Sequence, residues 1–367
     1  KQQGNKNMSR SEQDMKDLLR SLTLAAGAPG AEDEVRALVR ENLGEIGELS
    51  YDSLGSILCE KSGEADSPRV MIDGHMDEVG FMVQSITKEG RINFVPLGGW
   101  WAHVLLSQRV DIVTSGGKVP GVIGSTPPHF LSGKKREQLL ELEDMYIDIG
   151  ADSEEGVSGM GVRIGDTIVP HAEFTELNDP DILSSKAFDN RVGIGLMIEA
   201  LLEFSSRDHP NTIIGVGAAQ EEIGCRGAVT ACEKASPDVG IVLEGTPADD
   251  IPGFNEPQAI LGKGPQIRFY DPTAISNRRL AELVAAIAEK AGIEIQLAVR
   301  RSGGTDAKSI HLHRAGVPTV VIGVPARYIH SHVSLISWQD YLNTGRLVRE
   351  LIAGLDSAAV ESLTDFS

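Results

Sequence analysis

Along residues 31–46, AEDEVRALVRENLGEI, the apolar positions are Val35, Leu38, Val39, Leu43 and Ile46. This is the spacing of one face of an α-helix, and the acidic residues at its start suit a helix N-terminus. The segments SYDSLGSILCE and RVMIDG that follow read as β-rich, and from about residue 180 strands and helices alternate. The apolar runs TIIGVGAA (212–219), VGIVLE (239–244) and VPTVVIGV (317–324) have the pattern of strands buried on both faces. Helical patterns at 190–204, 277–291 and 337–355 separate or follow them, and Ser337 is placed to cap the last. The alternation predicts an α/β fold in which helices sandwich a mixed or parallel sheet.

Residues 79–179 carry a different pattern. VGFMVQSI, RINFVPL, RVDIVTS, VPGVIGS, MYIDIGA and DTIVPHA are short strands broken by Gly, Pro and Ser, with one helical run near 134–143. With α/β pattern on both sides, 79–179 reads as a small β-barrel-like domain inserted into a larger one made of 8–78 and 180–367. Residues 1–7, KQQGNKN ahead of Met8, read as a cloning remnant.

Composition narrows the functional classes. A chain of 367 residues is long for one core, which agrees with two domains. Lys plus Arg number 34 against 53 Asp plus Glu, a formal charge of −19, which argues against nucleic acid or an anionic membrane surface as partner. No run of about 18 apolar residues is present to span a bilayer. The three cysteines, Cys59, Cys225 and Cys232, form no CxxC pair, and this usage predicts a reducing, cytoplasmic setting.

Five polar motifs interrupt or end these elements. Asp73-Gly74-His75-Met76-Asp77-Glu78 follows RVMI, where His75 suits a metal ligand with Asp77 orienting its imidazole, or else a capped turn. Asp189, where an irregular segment enters a helix, is either that helix's cap or a bridging carboxylate. Glu221 and Glu222 end the strand at 212–219, where two adjacent carboxylates need a compensating cation unless they face water. Glu244 ends VGIVL, and His330 follows TVVIGVP within Arg327-Tyr328-Ile329-His330-Ser331-His332. All six candidates sit at or beyond carboxyl ends of strands, where α/β folds place their ligands. Asp189, Glu222 and Glu244 supply three negative charges against the four positive charges of two divalent ions, a balance suited to a two-metal hydrolase. One carboxylate of the Glu221–Glu222 pair then ligates while the other takes a proton from water. Nitrogen and oxygen donors without Cys favour Zn²⁺, with Co²⁺ or Mn²⁺ as alternatives.

The motifs GHMDEVGF (74–81), GVIGSTPPH (121–129), KAFDNRVG (186–193), QEEIGCRG (220–227), LEGTPADDIPG (243–253), GGTDA (303–307) and RYIHS (327–331) form an ordered set. In them the chain resembles the dinuclear metallo-aminopeptidases that include glutamyl aminopeptidase, deblocking aminopeptidase and the tetrahedral (TET) peptidases, over about Met8 to Leu355. The resemblance implies a zinc-peptidase type of fold and removal of N-terminal residues from short peptides. By it Asp189 bridges two ions, His75 and Glu244 complete one site, Glu222 and His330 the other, Glu221 is the general base and Asp77 holds His75 in the right tautomer. It further implies a cis peptide after Asp189, a dimerisation role for 79–179, and assembly from dimer to dodecamer. Two positions depart from the pattern: several relatives have Asp at the place of Glu244, and Pro usually stands where this chain has His332. Because some relatives were described as cellulases, a glycosidase is the rival reading, though aromatics are only 5% here. A non-catalytic, metal-stabilised oligomeric scaffold is a third.

Specificity is left open by the sequence. An acidic N-terminal residue would need a cation, for which Lys263, Arg268, Arg300 and Arg301 are the candidates. Asp306 of GGTDA binds the substrate amine or caps the helix after it. His332 reads as a rim residue, His311 and His313 as structural or surface groups, and His129 as a group able to reach a neighbouring subunit.

Overall fold

The computed structural model describes residues 10–367, so the expectation for residues 1–7 and the Met8 boundary lie outside the described residues. Among the described residues a 12-stranded mixed sheet and a closed six-stranded barrel organise the chain.

The middle of the large sheet is parallel. Thr212–Ala218, Arg69–His75, Val239–Pro247 and Thr319–Arg327 lie side by side, pointing the same way. These are the apolar runs of the sequence, and both faces are covered. On one face Phe188–Phe204, nearly all of it buried, packs with Glu12–Leu24, Asp33–Leu43 and Trp338–Gly354. On the other, Ala228, Ala231, Cys232 and Ala235 of the helix Arg226–Ala235 lie against Met71, Ile214 and Val242. Ser337 caps Trp338–Gly354, its hydroxyl accepting from the Asp340 amide.

Register decides what lies at the sheet's carboxyl edge. His75 pairs with Ala218, Val242 pairs with Asp73, and Glu244 pairs with Gly323. His75 and Glu244 are thus brought to one level, and the loops carrying Glu221–Glu222 and His330 begin just beyond it. The segment bearing Asp189 nests against this edge because two strand residues lack side chains. A Cβ on Gly245 would lie 2.8 Å from the Asp189 Cα, and one on Gly74 would lie 2.9 Å from the Gly193 carbonyl carbon.

The barrel strands are Gly80–Ile86, Ile92–Leu97, Met145–Asp148, Gly117–Ser125, Arg109–Thr114 and Thr167–Pro170, in that order around the ring. Alternate residues such as Phe81, Val83, Ile112, Ile123 and Ile168 fill its core. Thr175–Glu176 already pairs with Ile182–Ser185 in the large sheet, so the chain returns there a few residues before 180. The helical run expected near 134–143 is limited to Gly133–Arg136, with a 3₁₀ turn at Leu142–Asp144.

Candidate metal centre

Six side chains converge at the carboxyl edge of the sheet. Asp189 stands between the two histidines: its Oδ1 is 3.2 Å from His75 Nε2 and its Oδ2 is 3.5 Å from His330 Nε2. Glu222 Oε2 is 3.3 Å from His330 Nε2. Glu244 Oε2 and Glu221 Oε2 are 3.8 and 3.7 Å from His75 Nε2. His75, Asp189 and Glu222 offer ligand atoms that all lie within 4.8 Å of one another. The sequence candidates are therefore together in space, with Asp189 facing both sides.

Main-chain carbonyls fix both imidazoles. A carbonyl only accepts, so His75 Nδ1 donates to the main-chain oxygen of Asp77 at 3.0 Å, and His330 Nδ1 donates to that of Gly99 at 2.8 Å. Each ring then turns its Nε2 toward Asp189, the nitrogen that would ligate a metal once its proton is lost. The carboxylate of Asp77 is 3.5 Å from His75 Nδ1 and is occupied elsewhere. Its Oδ1 accepts from the Glu221 amide and its Oδ2 from the Glu222 amide, both at 2.9 Å. Its hold on His75 is through its main chain, and its side chain instead ties the His75 loop to the Glu221–Glu222 loop.

The loops themselves are held in uncommon conformations. Ala187, Gln220, Cys225, Tyr328 and His330 all have positive φ, between 56° and 61°, and the Asp189–Asn190 peptide is cis. Left-handed backbone at five non-glycine residues around one site is the clustering expected where function dictates geometry. Asn190 braces its turn by donating to the Leu243 carbonyl at 2.7 Å and accepting from the Gly193 amide at 3.0 Å.

The electrostatics call for positive charge. Burial pushes Glu222 and Glu244 well above the usual carboxylate range, and the histidines only partly offset it. Glu222 Oε1 is buried without a hydrogen-bond partner. At Asp189 burial is again the largest influence, but hydrogen bonds to His330 and His75 outweigh it and hold the group below its ordinary value. Burial likewise opposes protonation of His330, yet Asp189 and Glu222 lift it to about 9, and His75 also rises well above its ordinary value. Cations in place of these protons would satisfy the same carboxylates, so the donor set fits divalent metal.

Behind the site lies a buried charge cluster. Glu78 Oε1 contacts Lys186 Nζ and, at 3.4 Å, Arg191 Nη2. The two cations also donate to the Ala25 carbonyl, at 3.2 and 3.0 Å, tying the segment around Asp189 to the end of Glu12–Leu24. Cys225 Sγ is 3.1 Å from Glu221 Oε1.

The remaining candidates are placed as follows. Asp306 is buried, and its side chain makes no cap bond to the short helix Ala307–Ile310. It groups with Glu221 and Cys225 and does not line the open cavity. Arg268 and Arg300 line that cavity, whereas Lys263 and Arg301 do not. His332 is buried at 3% exposure, its ring centroid 5.8 Å from that of Trp100, so it sits deeper than a rim residue. His129 is exposed on a 3₁₀ turn of the barrel segment. His311 Nδ1 donates to the Ala307 carbonyl at 2.5 Å, away from the centre.

A buried donor set of this kind at the carboxyl edge of a helix-covered sheet is that of a metal-dependent hydrolase. A model of the family described as M42 glutamyl aminopeptidase matches residues 55–347, and the chain belongs to this family of metal-dependent aminopeptidases. It is 36% identical to glutamyl aminopeptidase of Lactococcus lactis subsp. cremoris, over 95% of this chain and 99% of that protein. It is 34% identical to lysyl aminopeptidase of Pyrococcus furiosus, over 92% and 97%. Among solved structures, a TET aminopeptidase from the marine sediment archaeon Thaumarchaeota archaeon SCGC AB-539-E09 superimposes with a TM-score of 0.93 at 44% identity, covering 96% of this chain and all of that one. The TET1 peptidase of Pyrococcus horikoshii, described as able to assemble into a tetrahedron or a large octahedral shell, gives 0.83 at 32%, covering 93% and 100%.

Proposed function

We propose that the protein removes N-terminal residues from short peptides with two divalent ions held in common by Asp189, one completed by His75 and Glu244 and the other by Glu222 and His330. The observation that carries this reading is the stance of Asp189, whose two oxygens face different histidines. Bound there, the ions would supply Lewis acidity toward the scissile carbonyl and lower the pKa of adjacent water. Glu221, left free of the ligand set, takes the proton of the attacking water and delivers it to the departing amine. Asp77 fixes the main chain of Glu221 and Glu222 at once, and so sets base and ligand relative to each other. Nitrogen and oxygen donors favour Zn²⁺, with Co²⁺ and Mn²⁺ as substitutes.

The assembled form is a homo-oligomer built through the barrel segment. Exposed Val122, Phe130 and Leu139 on that segment, and the assemblies described for the Pyrococcus horikoshii relative, support this reading. A reducing cytoplasmic setting is supported by Cys59, Cys225 and Cys232, which are unpaired. Among the described residues no helix is long and apolar enough to cross a membrane.

Glu221→Gln tests the division of roles. It should abolish peptide hydrolysis while leaving about two metal ions per chain. Loss of metal with Glu221→Gln, and its retention with Glu222→Gln, would interchange base and ligand.

A further inference from the structure

A cavity of about 320 Å³ is lined by the converged carboxylates and histidines and also by three cations, Arg268, Arg300 and Lys308. Two of them already have partners. Arg268 Nη1 is 3.3 Å from Asp271 Oδ2, and its Nη2 donates to Thr246 Oγ1 at 2.9 Å. Arg300 Nη1 is 2.5 Å from Asp249 Oδ2, and its Nη2 donates to the Pro247 carbonyl at 2.9 Å.

Lys308 differs. It is exposed at the cavity wall and forms no ion pair among the described residues. Its main chain is nevertheless well placed: its amide donates to the Thr305 carbonyl at 2.9 Å, and the next residue, Ser309, donates to the Cys225 carbonyl at 3.0 Å. A flexible ammonium thus stands on a fixed base, on the wall of the cavity that the carboxylates and histidines also line. In a chain of formal charge −19 this ammonium is a cation at the cavity wall that no carboxylate pairs among the described residues.

Resting on the aminopeptidase reading, we propose that Lys308 recognises a carboxylate of the peptide substrate and so sets its specificity. The carboxylate is the side-chain acid of an N-terminal Asp or Glu, or the terminal acid of a dipeptide whose amino end lies at the metal centre. An N-terminal Lys or Arg side chain would meet a like charge there instead. Family membership does not decide this point, because relatives of nearly equal identity are named for acidic and for basic residues.

The test uses metal-loaded wild type, Lys308→Gln and Lys308→Glu. One arm compares the p-nitroanilides of Glu, Gln and Lys, which carry no terminal acid. The other compares Leu-Gly with its C-terminal amide. Each result is a ratio of kcat/KM within one variant, so a loss common to both substrates cancels. The Glu-to-Gln ratio, or the acid-to-amide ratio, should fall about tenfold in Lys308→Gln, chiefly through KM, the size expected for losing a hydrogen bond to a charged group. Lys308→Glu should lower it further and raise turnover of the Lys anilide. The ratio that moves identifies which carboxylate is read. If neither moves more than about twofold while the substrates are still cleaved, the assignment of Lys308 is overturned. If wild type cleaves none of them with any metal, the aminopeptidase reading fails first and takes this one with it.

Discussion

The Nδ1 of His330 lies 2.8 Å from the carbonyl oxygen of Gly99, so a residue of the barrel segment sets the tautomer of a histidine carried by the large sheet. A Cβ on Gly99 would lie 3.3 Å from that same nitrogen. Gly99→Val should therefore displace the ring and weaken the site shared by His330 and Glu222, about 10- to 100-fold in metal affinity. Metal stoichiometry after dialysis against graded zinc buffers will read this as loss of one ion before the other. Parallel loss of both ions would count against a one-sided effect.

Asp77→Asn probes the tie between the loops. The carboxylate accepts from two amides, at 2.9 Å each, whereas an amide side chain offers one oxygen and turns an NH₂ toward the second N–H. Steady-state kinetics should show kcat reduced about 10- to 100-fold, with KM changed much less. A change confined to KM would mean that the loops tolerate the mismatch.

The cluster behind the site gives a stability prediction. Glu78→Gln leaves Lys186 and Arg191 buried without their counter-charge, at a cost of about 3–5 kcal/mol. In the wild-type protein, burial above all pushes Lys186 down to about 8 from 10.5. Between those values the unfolded chain binds the extra proton, so this lysine's contribution to stability grows as pH rises and is smallest below pH 8. Removing Glu78 lowers the native pKa further and enlarges that dependence. The urea-midpoint deficit of Glu78→Gln should accordingly be larger at pH 7 than at pH 9. An equal deficit at both would show that lost packing, not charge, is responsible.

Metal loading should depend on pH with a definite sign. In the metal-free centre His330 titrates near 9 and His75 well above its ordinary value. Each imidazole must lose its proton to ligate, so below pH 9 apparent affinity falls by up to about tenfold per pH unit for each proton displaced. Zinc titration of metal-free protein at pH 6, 7 and 8 should give progressively tighter binding. Proton release, read from the buffer dependence of the calorimetric heat, should accompany it.

The strands at the carboxyl edge were legible because parallel strands covered on both faces must be apolar throughout. The polar residues ending them, His75, Glu222, Glu244 and His330, stood out for the same reason. Gly99 contributes a carbonyl, which no side-chain motif announces. Glu78, Lys186 and Arg191 were visible within motifs but read as ordinary charges, since their burial arises only when the end of Glu12–Leu24 packs over them. That helix was itself within reach of sequence reading, as Ser11 and Asp14 form a capping box and Leu18, Leu19 and Leu22 share its buried side. For Asp306 the sequence allowed either a cap or a group that binds the substrate amine; its burial beside Cys225 and Glu221 is a tertiary fact.

The barrel lies between His75 and Asp189 in the chain, and His330 comes last of all. On a ribosome His75 therefore emerges long before its companions, and a whole barrel must be made before Asp189 follows. Until residue 330 has been synthesised and docked, the nascent polypeptide holds only part of this cluster of side chains. Chain order thus delays the meeting of these side chains until the sheet is complete.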